Sequence, residues 1–197
     1  MRTLGSLAAV AAILAAFVWR EQRTAVPLIR LGIFRNSSLV RANFAAMALA
    51  AWIGFQFIAT LYMQQLRGWS ALETGLAIFP AGALVAVLSP RVGTLIQRFG
   101  VVRLTVAGLI SIALAYVLFL PIGLDSAYVA MVPTFLLAGL GFGLAFGPIN
   151  VAATSGVAPE EQGLAGGLVN TSFQLGAALV LAIVTAVINA NSTGTSP

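Results

Sequence analysis

Apolar residues in this chain run in six long stretches, separated by short loops that carry arginine. A helix that crosses a bilayer needs about 20 predominantly apolar residues, and all its backbone hydrogen bonds must be made within the segment. The predicted spans cover residues 3–19, 40–63, 72–89, 104–120, 128–154 and 164–190. The pattern therefore predicts an all-α, polytopic membrane bundle of about six transmembrane helices.

The composition agrees with a membrane protein and excludes several other classes. Hydrophobic residues make up 60% of the chain and charged residues 8%, whereas a soluble domain carries about 25% charged residues. The net charge of +5 is therefore no sign of a nucleic-acid partner. The chain has no Cys and no His, so thiolate chemistry, the usual metal ligand and the usual general base are missing. No cofactor, metal site or enzymatic activity is expected.

The ten basic residues are all arginine, and their positions predict the orientation of the chain. Positively charged loops stay on the cytoplasmic side of a membrane. Eight arginines fall in the first and third loops, which lie on the same side: Arg20, Arg23, Arg30, Arg35, Arg41, Arg91, Arg98 and Arg103. Only Arg2 and Arg67 fall on the other side. The loops rich in arginine are therefore predicted to be cytoplasmic, with both termini outside.

The predicted spans divide the chain into four parts. Residues 1–20 form a transmembrane helix that precedes a C-terminal bundle, and residues 21–39 form a cytoplasmic loop. Residues 40–190 form a five-helix bundle, followed by a disordered tail at 191–197. A cleaved signal peptide at 1–19 is an alternative, but it would leave five arginines outside the cell. A two-residue tail before a span that inserts with its N-terminus outside favours further spans upstream.

Five amide side chains fall inside the predicted spans. A polar group in the membrane marks either a helix–helix contact or a water-filled cavity. Both uses stay open for Asn43, Gln56, Asn150, Asn170 and Gln174, which are the candidate residues of a substrate cavity. No carboxylate lies near the middle of a span, so the segment has no evident proton relay of its own.

Glycines in two spans predict close contacts between helices. Gly139, Gly143 and Gly147 recur at every fourth position, so they share one helical face, and Pro148 adds a bend. A second small-residue face is expected from Gly163, Gly166, Gly167 and Gly176. Ser70 and Glu73 have the spacing of a capping box, which explains this carboxylate better than a role in coupling.

Four motifs, taken together in order and spacing, carry a resemblance to a known family. They are Glu21-x-Arg23 with Pro27-Leu28 and Leu31-x-x-Phe34-Arg35-Asn36; Leu61-Tyr62-Met63-Gln64 with Gly68-x-Ser70-Ala71-Leu72-x-x-Gly75-Leu76 and Phe79-Pro80; Gly93-x-Leu95-x-Gln97-Arg98-x-Gly100; and Gly163-x-x-x-Gly167-x-x-Asn170-Thr171 with Gln174-Leu175-Gly176. Over nearly its whole length the chain resembles the major facilitator superfamily. It is most similar to the fourteen-span drug/proton antiporter branch (EmrB/QacA-like).

The third motif resembles the cytoplasmic loop motif that helps such transporters latch one conformation. Gly93, Arg98 and Gly100 match the family pattern, and Arg103 follows in the same loop, where it and Arg98 could pair with helix ends. Gln97 stands where the family has Asp, and Val101 stands where it has Arg. The resemblance implies a latch in this loop, but one without its carboxylate.

The resemblance also implies a function and a place in a longer protein. The six segments look like the eighth to thirteenth of fourteen spans, so the chain would be an incomplete fragment in the plasma membrane. The implied function is export of small amphipathic molecules or drugs by proton-coupled alternating access. Its partners would be membrane lipid, a small-molecule substrate and the missing N-terminal half, which holds the coupling carboxylates in the family. The alternative is a free-standing six-span protein that dimerises as an assembly or interaction partner.

Overall fold

The computed structural model describes residues 33 and 35–193 and scattered positions between 5 and 20, with side chains as far as residue 190. The first predicted span, 3–19, lies largely outside the described residues. Within the described range the elements are helices and turns, with no strand. The helices are α1 (Ser37–Leu49), α2 (Ala51–Leu61), α3 (Ala71–Leu88), α4 (Val92–Phe99), α5 (Val101–Phe119), α6 (Tyr128–Thr154) and α7 (Gln162–Thr193).

Among the described residues, 5 helical segments are long and apolar enough to cross a membrane. They cover Ser37–Leu66, Ala71–Phe99, Val101–Phe119, Tyr128–Thr154 and Pro159–Ala190. The predicted all-α membrane bundle is confirmed, and the span predicted at 128–154 has the same bounds in the structure.

The helix ends differ from the predicted spans for local reasons. Helix α1 begins at Ser37, ahead of the bound predicted at 40, because the Asn36 side chain accepts hydrogen bonds from the backbone N–H groups of Ser38 and Leu39. Helix α7 continues to Thr193, into the tail predicted to be disordered. The predicted capping box is confirmed, since Ser70 and Glu73 exchange hydrogen bonds at the start of α3.

Helix α6 lies at the centre of the bundle and contacts α1, α3, α5 and α7. Its contact with α5 is antiparallel, because Gly108 lies against Ala145 while Ile112 lies against Gly141. Helices α1 and α7 run parallel: Asn43 hydrogen-bonds to Ser172, and Met47 farther along lies against Gly176. Helix α2 continues the contact with α7, since Gly54 lies against Val180. Helix α6 therefore connects α3 and α5 to the pair of α1 and α7.

The glycines of α6 lie where neighbouring helices approach closely. A Cβ atom on Gly139 would lie 2.5 Å from the carbonyl oxygen of Ala81 in α3, and a Cβ on Gly143 would lie 3.0 Å from a Leu88 methyl group. A Cβ on Gly147 would lie 2.6 Å from a methyl carbon of Val92. On another face, a Cβ on Gly141 would lie 2.6 Å from the carbonyl oxygen of Gly108 in α5. These distances leave no room for a side chain, so α6 packs against the backbones of two helices.

The second predicted glycine face is wrong for three of its four members. A Cβ on Gly176 would lie 2.5 Å from the Met47 carbonyl oxygen in α1, so this glycine does allow a close contact. Gly163, Gly166 and Gly167 have no atom within 4 Å of the Cβ position. They lie in the first turns of α7, ahead of the point where this helix closes on α1.

Candidate functional site

Phe142 and three other aromatic rings, from three helices in all, form a cluster. The Phe142 ring centroid lies 5.4 Å from that of Trp52 in α2 and 6.4 Å from that of Phe173 in α7. It stacks on Phe146, one turn further along α6, with centroids 5.1 Å apart and an interplanar angle of 16°. Phe146 is exposed, and the other three rings are half-buried. We call this set the aromatic wall.

Two of the predicted cavity amides adjoin the aromatic wall along the same helices. Gln56 lies one turn after Trp52 and borders a narrow space with Phe55, Ile78, Ala81 and Phe135. Asn150 lies one turn after Phe146 and donates its amide N–H to the Phe146 carbonyl oxygen at 2.8 Å. That bond fixes the amide against its own helix and leaves the Asn150 side-chain oxygen available to an incoming donor.

Two further predicted cavity amides lie on α7, on the face next to that of Phe173. Asn170 and Gln174 are four residues apart and both exposed, so they share one stripe of the helix, while Phe173 contacts Phe142. The amide stripe therefore adjoins the edge of the wall that Phe173 forms. The exposure of these amides in an apolar bundle favours a cavity lining over a helix–helix contact, because an unpaired amide is costly in lipid.

Asn43 has a different use from the other four amides. Its side-chain oxygen accepts a hydrogen bond of 2.6 Å from the Ser172 hydroxyl of α7, and its amide N–H donates to the Leu39 carbonyl oxygen at 2.8 Å. The close contact of Gly176 with Met47 follows one turn later. Of the two uses that the sequence left open, the geometry favours the helix–helix contact for Asn43.

The described part of the wall is electrically neutral. Glu73 accepts hydrogen bonds from the Ser70 N–H and hydroxyl at 2.8 Å each, so it serves as a helix cap. Asp125 lies in the loop between α5 and α6, and Glu160 and Glu161 lie in the turn before α7. The described residues thus place every carboxylate at a helix end and none beside the aromatic wall.

The loop motif forms α4 and the turn that follows it. Gly100 has φ +82°, which favours glycine and lets the chain reverse between α4 and α5. Arg98 and Arg103 are exposed, and the Arg98 guanidinium lies 5.2 Å from the Phe99 ring centroid. Gly93 and Gln97 are exposed as well. The motif therefore presents its arginines at the membrane surface, at the end predicted to be cytoplasmic.

The aromatic wall was missed by the reasoning from sequence, although a signal for it exists. Trp52 and Gln56 are four residues apart, and Phe142, Phe146 and Asn150 repeat the same spacing. Residues four apart share a helical face, so each helix carries a ring followed by an amide on one stripe. The contact of the rings across three helices could be recognised only from the structure.

Comparison with known proteins gives this arrangement a family. The sequence matches the Major Facilitator Superfamily over residues 2–181. This chain belongs to the major facilitator superfamily. Membership of the superfamily, together with the apolar helices, makes it a multi-pass protein of the plasma membrane. The superfamily is one of transporters.

Several curated superfamily members are similar to this chain. It is 32% identical over 178 residues to the multidrug resistance protein Stp of Mycobacterium tuberculosis, which covers 89% of the chain and 33% of that protein. It is 33% identical over 189 residues to the tetracenomycin C resistance and export protein of Streptomyces glaucescens, covering 93% and 34%. It is 34% identical over 185 residues to the cephamycin export protein CmcT of Amycolatopsis lactamdurans, covering 92% and 38%. The chain thus spans about a third of the length of these relatives.

Proposed function

We propose that this chain supplies most of one helical half of an exporter of small amphipathic molecules. The observation that carries the proposal is the aromatic wall, in which Trp52, Phe142 and Phe173 join three different helices. Ligand cavities are mostly apolar and aromatic, with a few polar groups that fix orientation. Rings next to Gln56, Asn150, Asn170 and Gln174 meet that description.

The remainder of the bundle supports transport by alternating access, in which two bundles rock around a site near the middle of the membrane. The close contacts at Gly139 and Gly141 fasten α6 to α3 and α5, so the half can move as one body. Asn43 and Ser172 fasten α1 to α7 beside the wall. The loop motif around Arg98 would act at the cytoplasmic end, where the two halves close.

Export would be driven by proton influx, with the proton carried by a partner segment. The described wall is neutral, so the coupling carboxylate has to come from the N-terminal half of the transporter. The names of the relatives include multidrug resistance and antibiotic export, which supports an amphipathic substrate class for this chain. Asn43 is assigned to the scaffold, and the other four amides to the cavity lining.

A dye-extrusion assay tests the proposal. The reading frame, with the N-terminal half supplied from the flanking DNA or from a relative, is expressed in a host that lacks its main efflux pumps. Energised cells should extrude a planar aromatic dye, and a protonophore should abolish the extrusion. Phe142→Ala should lower extrusion about tenfold, because aromatic contacts contribute about 0.5–1.5 kcal/mol each.

The matched control is Phe44→Ala, which removes the same ring from a position that is 69% exposed on α1 and contacts no other ring among the described residues. This variant should extrude dye normally at equal membrane expression. Equal losses in both variants would contradict the assignment of the wall, and extrusion that persists with the protonophore would contradict proton coupling.

The alternative of a free-standing, dimerising membrane protein is not favoured by relatives that are named as export proteins. It predicts a stable dimer of this chain expressed alone. Cross-linking of the isolated chain in membranes distinguishes the two, because an incomplete half-bundle should be degraded unless the N-terminal half is co-expressed.

A further inference from the structure

Arg67 lies between the rings of Tyr62 and Trp69, which we call the aromatic clamp. The clamp is at the end of the bundle opposite the other described arginines of the helical bundle. Arg67 follows the π-helical turn Tyr62–Leu66 that ends the first described span. Its guanidinium carbon lies 5.0 Å from the Trp69 ring centroid and 5.9 Å from that of Tyr62. Rings on two sides hold the cation by attraction to their π faces.

The clamp is anchored to the rest of the bundle. Tyr62 is 7% exposed, and its hydroxyl donates a 2.7 Å hydrogen bond to the Gly123 carbonyl oxygen in the loop before α6. The Trp69 ring lies 6.2 Å from the ring of Tyr128, at the start of α6. The guanidinium is therefore held in place by groups from two helices and a loop.

Within the part of the chain that the structure describes, the Arg67 guanidinium has no hydrogen-bond acceptor and no ion pair. Its Nη1 atom is buried without a partner. A buried N–H group without an acceptor is unfavourable, and an arginine offers five donors in a planar fork. The Arg67 side chain as a whole is half-buried, so the rest of its fork, which also lacks an acceptor in the described part of the chain, can meet an oxyanion from outside the bundle.

The surroundings of the clamp indicate where that oxyanion comes from. Tyr and Trp side chains collect at the level of the lipid headgroups, and three of them surround or adjoin Arg67. Leu66 and Leu72, next to the clamp along the chain, are 65% and 73% exposed, so an apolar surface adjoins the clamp. Phosphate is the oxyanion at this depth, and the guanidinium fork matches its geometry.

We propose that Arg67, clamped by Tyr62 and Trp69, binds the phosphate of an anionic phospholipid in the leaflet opposite the arginine-rich loops. This site is separate from the aromatic wall and does not depend on the export function. It ties the outer end of the first described span to the bilayer surface.

Trp69 provides the readout for a test. The chain carries three tryptophans, so Trp19→Phe and Trp52→Phe leave Trp69 as the single reporter. This chain, co-expressed and purified with an N-terminal half whose own tryptophans are replaced by Phe, is placed in nanodiscs of phosphatidylcholine with increasing fractions of phosphatidylglycerol, and Trp69 fluorescence is recorded. The signal should change with phosphatidylglycerol, and Arg67→Gln should raise the half-maximal fraction about fivefold, the contribution of one arginine near an anionic surface.

Arg98→Gln is the matched control, because Arg98 also lies over a ring, that of Phe99, but at the other end of the bundle. It should leave the Trp69 response unchanged. Arg67→Lys keeps the charge without the fork and should give an intermediate response. Circular dichroism of each variant verifies that the helices are retained.

Three results would overturn the proposal. One is a Trp69 signal that does not respond to phosphatidylglycerol. Another is a response that is the same in Arg67→Gln, since the ring would then sense bilayer charge without the arginine. The third is an equal response to inorganic phosphate in nanodiscs of phosphatidylcholine alone, which would make this a site for a soluble oxyanion.

Discussion

Helix α6 makes two contrasting kinds of contact. At Gly139 and Gly141, which face α3 and α5 from two different faces of the helix, the neighbouring backbone is so close that a single methyl group would overlap a carbonyl oxygen. We call these the glycine contacts. Phe142 and Phe146 instead carry large rings that stay half-buried or exposed, and Phe142 meets Trp52 of α2 and Phe173 of α7. We call these the ring contacts. The same helix is therefore fixed to the scaffold at its glycines and presents partly accessible rings elsewhere along its length.

The difference teaches how a membrane bundle separates rigidity from recognition. In lipid, helices gain little from burying apolar side chains, so tight association requires small residues that let backbones meet. The rings meet at ordinary aromatic distances, but they stay half-buried or exposed, so part of each ring remains free to contact another molecule. Substitutions at the glycine contacts should therefore affect folding, and substitutions at the ring contacts should affect binding.

The largest effect is expected for Gly139→Ala. The new Cβ would meet the Ala81 carbonyl oxygen at 2.5 Å and the Ala81 Cα at 2.8 Å, and these backbone atoms cannot move like the end of a side chain. Overpacking of this kind lowers the free energy of unfolding by about 1–3 kcal/mol. The free energy of unfolding is measured by circular dichroism in mixed micelles that contain an increasing fraction of a denaturing detergent.

Gly82→Ala is the control for that experiment, because Gly82 follows Ala81 in α3 and has no atom within 4 Å of its Cβ position. It should be neutral or stabilising by up to about 1 kcal/mol, since alanine favours a helix more than glycine does. If both substitutions changed the free energy of unfolding equally, helix propensity rather than close packing would determine the effect of a substitution at the glycine contacts.

A smaller effect of the same kind is expected on α7. Gly176→Ala would place a Cβ 2.5 Å from the Met47 carbonyl oxygen, whereas Gly167→Ala meets nothing within 4 Å. Helix α7 closes on α1 from one side and can shift outward, so the loss should be about 1 kcal/mol, the low end of the overpacking range. Gly167→Ala in the same unfolding experiment should show no loss, and a loss there equal to that of Gly176→Ala would contradict the contact.

The sequence predicts the spans well because the bilayer imposes them. The bounds at 128–154 follow from hydropathy alone, and the three glycines of the predicted face are visible from their regular spacing. Gly108 and Gly141 were missed because each stands alone in its stripe, and only the helix pairing brings them together. The start of α1 was missed because the Asn36 cap is a local hydrogen-bond effect that an apolar window does not detect.

The candidate site was predictable in part. The sequence identifies every amide, but it could not separate the Asn43 contact from the exposed positions on α7, because Ser172 is distant in sequence. The rings were overlooked since an aromatic residue in a span is usually lipid-facing or core. A cluster of side chains from three helices depends on helix order around the bundle, which one sequence does not contain.

Near the ring contacts, Gln56→Leu should change selectivity and leave folding intact. Gln56 lies one turn after Trp52, is half-buried, and makes no side-chain hydrogen bond among the residues that the structure describes, so we expect its amide to pair with a substrate. Its loss removes one hydrogen bond, about 1 kcal/mol or roughly a fivefold weaker affinity for dyes with a polar substituent. Paired dyes with and without that substituent, measured by extrusion, show the change.

The dye without the polar substituent is the internal control, and its extrusion should be the same for Gln56→Leu and the parent chain. Unfolding in micelles should also be unchanged. A fall in extrusion of both dyes would mean that Gln56 supports the packing of α2 against α3 and α6. Gln56 would then belong to the scaffold and not to the ring contacts.

The smallest effect is expected for the hydrogen bond between Asn43 and Ser172, and it tests whether Asn43 belongs to the scaffold or to the cavity lining. Asn43 and Ser172 join α1 to α7 one residue away from Phe173, with a hydrogen bond of 2.6 Å between their side chains. Interhelical hydrogen bonds in membranes average about 0.6 kcal/mol in double-mutant cycles, since either partner finds other bonds in the unfolded state. A cycle of Asn43→Ala, Ser172→Ala and the double variant should give that coupling in unfolding and none in dye affinity. A coupling that appears in dye affinity but not in unfolding would instead place Asn43 in the cavity lining. The neutral wall would then extend across the parallel contact of α1 and α7.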